Sequence, residues 1–236
     1  GLKEKYLDKT YRYLLFLLAF LIPLTVFGAN LIIVIIVLLW LFSGNYGAKL
    51  NHVFSSKVLI ASIAFFSIHL IGLMWTEDIS WGLVIVHKMW YFLLLFPILF
   101  TIVQRKDIHT YIYAFLIAIA LTEIISFLIW FEVIQPFKNA TITNPTPFMS
   151  HVSYNPILAF STYIVLHQIF FNKNLSNLSF FGHVIFAISM IVNMFITSGR
   201  AGQVMFFAML AIFIFQFFDK EKIKSLFVIS IVIPGI

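Results

Sequence analysis

The sequence predicts an all-α fold, a polytopic transmembrane helix bundle. Three observations carry that prediction. The 236 residues are 62% hydrophobic and 10% charged, with a mean hydropathy of +1.04. A soluble domain of this size has too little interior to hide so much apolar side chain. The apolar residues come in long runs without the in–out alternation of a barrel, so helices are how their backbones satisfy themselves in lipid. With no Cys, disulfide frameworks and thiolate metal sites are excluded. The net charge of +6 is assigned to cytoplasmic loops, and no nucleic-acid partner is expected.

The runs expected as helices, in order, are 12–27, 29–43, 58–75, 83–103, 109–131, 155–171, 180–198 and 201–218. That makes about eight complete helices. A ninth, 225–236, has only 12 residues, short of the ~20 that span a bilayer. The sequence therefore reads as the N-terminal part of a longer protein, with 1–236 a single transmembrane domain.

Tyr13–Phe42 is one nearly unbroken apolar stretch, interrupted by Pro23 and by Gly28-Ala-Asn30. It could be one kinked helix or two short ones, and charge decides. Two helices with a cytoplasmic N-terminus place 12 of the 15 basic residues inside, leaving Lys88, Lys138 and Arg200 outside. One helix gives seven inside and eight outside. Positive charge collects on the cytoplasmic side, which favours two helices. The outer face then holds Gly28-Ala-Asn30, Trp75–Trp81, a Pro-rich loop over 132–154, and Thr197–Gln203. The cytoplasmic connections are short and basic.

Arg200 stands out in the string Thr197-Ser-Gly-Arg-Ala-Gly-Gln203. A guanidinium stays charged, and at a membrane helix end it needs an anion, a carbonyl or water. It could be an interface anchor. Its small neighbours, and its place on the side where positive charge is disfavoured, point instead to a clamp for phosphate oxygens, which Arg grips in pairs. Gln203, three residues on, lies on the same helical face as a further donor. Lys88 is either a snorkelling anchor beside Trp81 and Trp90 or a second cation for the same anion. It is expected about a turn and a half inside the outer end of its helix.

His151, with Tyr154 and Asn155, precedes the sixth run. As a loop histidine it is solvated, or a proton-transfer group if it lines the same cavity. Glu123 lies about two turns from the outer end of the fifth run, and is expected to be paired or hydrogen-bonded between helices. No metal-ligand spacing joins the seven His, so no metal site is expected. Nucleotide-binding and hydrolase motifs are absent too.

Together Ser67-Ile-His-Leu-Ile-Gly-Leu-Met-Trp-Thr-Glu-Asp78, Lys88-Met-Trp90 and Thr197-Ser-Gly-Arg-Ala-Gly-Gln203 resemble the O-antigen ligase and polymerase superfamily of bacterial inner membranes. The resemblance implies a multi-pass, membrane-embedded glycosyltransferase active at the periplasmic face. Its donor would be a glycan on undecaprenyl diphosphate, and its acceptor, for a ligase, the lipid A–core oligosaccharide. Beyond membrane lipids it implies no other partner, and no cofactor. It assigns diphosphate binding to Arg200 and Lys88, and places the catalytic base in a large periplasmic loop beyond Ile236, leaving His151 a weak candidate. An O-antigen polymerase or protein O-oligosaccharyltransferase would share the donor chemistry. A transporter or flippase for an anionic lipid-linked substrate is the alternative from another class, and predicts inverted repeats with matched helix breaks.

Overall fold

The computed structural model describes residues 2–138 (side chains from Tyr6), 140–172, 174–197 and 199–218. The run expected over 225–236, and Ser198, lie outside the described residues. Among the described residues the chain is helical, with an isolated bridge between Thr141 and Asn144. The helices are α1 (Leu2–Leu21), α2 (Val26–Phe42), α3 (Tyr46–Ser55), α4 (Lys57–Gly72), α5 (Ile79–Lys88), α6 (Phe96–Ile102), α7 (Ile108–Trp130), α8 (His151–Phe171), α9 (Asn177–Ile196) and α10 (Arg200–Phe217).

Five stretches are long and apolar enough to cross a membrane: Lys57–Trp75, Ile79–Ile102, Arg105–Trp130, Asn177–Ile196 and Arg200–Phe217. The bent pair α2–α3 raises the number to six if it is one span. Large apolar side chains such as Phe181, Ile185, Phe195, Val204, Phe207 and Phe215 point outward. Those lengths and faces mark a membrane protein. The α1 and α8 segments do not meet the same test of composition. Charged residues crowd the first half of α1, and α8 carries Ser, Thr, Asn and Pro156.

Packing divides the chain into two compact units, residues 1–22 with 26–115, and residues 23–25 with 116–236. In the first, α1 and α2 bury Leu15, Leu18, Ala29, Ile32 and Ile36 together with Ile98 of α6. Trp40 Nε1 donates to Thr101 Oγ1 at 2.9 Å. The long apolar stretch is thus two helices. The break falls at Pro23 alone, while Gly28-Ala-Asn30 lies within α2. A proline removes an N–H and clashes with the preceding turn, at ~3 kcal/mol, whereas a helical glycine costs only ~1 kcal/mol.

The basic connection after α2 holds a helix that periodicity did not reveal. Gly44 (φ 71°) and Asn45 (φ 57°) turn the chain through the left-handed region. The α3 axis then runs at 117° to α2. Lys49 folds back to donate to Trp40 O at 3.2 Å, and to Ser43 Oγ, with its ammonium 4.5 Å from the Trp40 ring centroid. The Tyr46 hydroxyl donates to Leu41 O. Carbonyls at the end of α2 are satisfied in this way, as a helix C-terminus requires.

Asp78, the second acid of the Trp75–Asp78 string, caps α5 by accepting from the Trp81 N–H at 2.9 Å. After Lys88 the chain widens into a π-turn over Tyr91–Leu95, in which Phe96 N–H donates to Tyr91 O. Pro97 follows, and has no N–H to give. The Ser62 hydroxyl of α4 donates to Phe92 O at 2.7 Å. Because the span begins at Ile79, Lys88 lies about two and a half turns inside it, deeper than expected.

Gly44→Ala should lower stability by about 1 kcal/mol through backbone strain alone, since an added Cβ meets nothing within 4 Å. Asn45→Gly, also at positive φ, should be neutral or slightly stabilising. Denaturation midpoints of the two variants in detergent would check the pair.

Candidate functional site

The candidate site lies in the second unit, where α8 packs against both α9 and α10. Asn155, fully buried on α8, holds the α9–α10 junction. Its Oδ1 accepts from Thr197 Oγ1 at 2.6 Å, and its Nδ2 donates to Met194 O and Gly199 O, each at 3.3 Å. Backbone contact reinforces these bonds. A Cβ at Gly202 would lie 2.1 Å from Asn155 Cβ, and one at Gly199 2.4 Å from Asn155 Nδ2. These two glycines are small because α8 occupies the space, as in close membrane helix crossings.

Arg200 is the first residue of α10, not part of a turn between helices. Its side chain is exposed. Gly199 occupies the cap position and makes no side-chain cap hydrogen bond. A helix N-terminus carries roughly half a positive charge and N–H groups that point outward. The guanidinium adds a full charge beside them. Chemically, this end of α10 suits an anion with several oxygens, such as a phosphate. Gln203, half-buried, follows on the same helix.

His151 is the first residue of α8 rather than part of a loop, because α8 begins four residues before the expected 155. It is half-buried, and its carbonyl lies 3.0 Å from where a Gly199 Cβ would stand. The α8 start is therefore brought beside the α10 start. The rest of the loop expected over 132–154 is irregular. Tyr154 is buried under Pro145–Met149, with its hydroxyl 3.3 Å from Thr122 Oγ1.

Glu123 is 3% exposed and accepts from the Ser189 hydroxyl of α9 at 3.1 Å. Among the described residues its other oxygen has no hydrogen-bond partner, and no ion pair reaches it. One turn on, Ser126 donates to Asn193 Oδ1 at 3.2 Å. Of the alternatives set out for Glu123, the hydrogen bond between helices is the one present. No cluster of His, Asp or Glu able to hold a metal occurs among the described residues. Lys88 belongs to the first unit. Its side chain is exposed, with Nζ 5.9 Å from the Trp81 ring centroid.

Asn155, Thr197 and Gly202 were missed by sequence reasoning as a cluster. The small residue Gly202, two positions after Arg200, was the available signal.

Gly202→Ala should cost about 1–3 kcal/mol by overpacking against Asn155. Gly182→Ala in α9, where an added Cβ meets nothing within 4 Å, should gain about 0.5–1 kcal/mol. Asn155→Ala should cost about 1–3 kcal/mol by orphaning buried polar groups. Thermal unfolding of the three variants in one detergent would check the order. Comparison with protein-family models, curated proteins and solved structures finds no match.

Proposed function

We propose that the protein is a membrane-embedded glycosyltransferase of the O-antigen ligase type. In this proposal it moves a glycan from undecaprenyl diphosphate to lipid A–core at the periplasmic face of a bacterial inner membrane. The supporting observation is an exposed Arg200 at the uncapped N-terminus of α10, fixed from behind by Asn155. A diphosphate leaving group fits that chemistry. Its oxygens are what a guanidinium fork and a helix N-terminus both bind.

The acceptor hydroxyl attacks sugar C1, the C1–O bond to phosphate breaks, and the electron pair leaves with the diphosphate. Arg200 neutralises charge growing on the leaving oxygen, Gln203 adds a donor, and Lys88 is the second cation. A base takes the acceptor proton, and the resemblance puts it in a periplasmic loop outside this sequence. The donor is already activated, so no nucleotide is consumed.

Eight crossings follow if α1, α2 and α8 also span, with the N-terminus and the basic connections cytoplasmic. The chain has no Cys, so an introduced one reports cleanly. Thr143→Cys should react with an impermeant maleimide on intact spheroplasts, and Asn174→Cys only after the membrane is opened. The reverse pattern, or equal labelling, refutes the orientation or the α8 crossing.

Arg200→Ala in the intact protein should lower ligation by about 10²–10³-fold, the usual loss for one preorganised donor to developing charge. Arg200→Lys should fail to restore it, because an ammonium lacks the fork. Undiminished ligation by Arg200→Ala would refute the assignment.

A further inference from the structure

A second charged site lies in the first unit, built from residues outside the candidate site above. It is a cavity of about 700 Å³ between α1 and the start of α7, within the range of small-ligand pockets. Its base is an ion pair, Arg12 Nη2 to Asp107 Oδ1 at 3.0 Å. The Asp107 side chain is only 4% exposed, while that of Arg12 is 54% exposed. A buried carboxylate thus fixes one edge of the guanidinium. A guanidinium has five N–H donors, so most remain for a ligand.

Lys9 and Lys106 flank Arg12, and Asp8 offsets one of the three cations. Among the described residues, and with Asp107 counted, the cavity carries three positive and two negative groups. That net charge of one matches a phosphodiester.

The depth of the cavity narrows the ligand. Arg12 and Lys9 stand where α1 passes from charged residues to its apolar run. Lys106 and Asp107 stand at the start of the span Arg105–Trp130. On the apolar side the cavity is walled by Tyr13 and Phe16, both exposed. A free anion has no use for that wall, whereas a phospholipid does. Basic pockets between membrane helices at the interface take anionic headgroups for this reason.

We propose that this cavity binds an anionic phospholipid, with its phosphate on Arg12, Lys9 and Lys106 and its upper acyl chain along Tyr13 and Phe16.

The test uses the full chain in nanodiscs, with retained lipid counted by native mass spectrometry. Phosphatidylglycerol should be held in preference to phosphatidylethanolamine. Lys9→Gln with Lys106→Gln, which leaves the Arg12–Asp107 pair intact, should weaken that retention about thirty-fold, about fivefold for each lysine. An unchanged melting temperature of the double variant would show that the fold survives. A lower one calls for the single Lys106→Gln variant, in which the same preference must drop about fivefold. Glycerol phosphate, added free, should not displace the lipid. Equal retention of the two lipids, an unchanged preference in the variants, or displacement by glycerol phosphate would each overturn the proposal. None of these readouts depends on glycosyl transfer.

Discussion

In hydrocarbon every backbone group released by a break in a helix must find another partner inside the protein. That constraint accounts for the placing of this chain's polar residues. Where α2 ends, Lys49 and Tyr46 reach back to its last carbonyls. Where the π-turn frees a carbonyl at Phe92, Ser62 of the neighbouring helix takes it. Where α9 ends and α10 begins, Asn155 collects Met194 O and Gly199 O together. A buried carbonyl left without a partner costs about 1–3 kcal/mol, so each side chain helps to fix the break it serves. The exposed apolar surface adds little to that specificity, because lipid tails solvate it as well as another helix does.

Arg200 takes its meaning from the same rule. It is a cation at the positive end of a helix, an arrangement unfavourable by about 0.3–1 kcal/mol at an exposed site. The cap residue, Gly199, has no side chain to offset it. An anion at this end reverses both signs at once, meeting the guanidinium and the outward N–H groups together. Asn155 holds the α9–α10 junction through the Met194 and Gly199 carbonyls, while the Arg200 side chain is exposed. In the proposed transfer, this exposed cation is the group that would stabilise the leaving diphosphate.

How much of this was legible in the sequence depended on the range of the signal. Length and apolarity located the α4 and α7 spans closely, since both are local sums. Pro23 was visible as a break, because its effect is carried by one residue. Gly28 misled, because a glycine in a helix costs little and the surrounding apolar run continued the helix. The α3 helix was hidden in a basic connection, where Lys49 stabilises it only after the left-handed turn at Gly44 and Asn45 brings it back to Trp40. Arg200 was singled out by its type, its small neighbours and its place between two apolar runs. Its support was not, because Asn155 lies 44 residues from Gly199 in sequence, and no local pattern records such a pairing.

Glu123 bears on what balances Arg200. It is the most deeply buried acid among the described residues of the second unit. Its partner is the Ser189 hydroxyl, and a Ser126–Asn193 bond lies one turn beyond it. Asp107, the other buried acid, is taken by Arg12 in the first unit. Among the described residues no carboxylate therefore lies within ion-pair distance of Arg200. An arginine balanced from within would be a structural strut, and replacing it together with its acid could be nearly neutral. Neither buried acid among the described residues is paired with Arg200, and in the proposed function that place falls to the donor diphosphate.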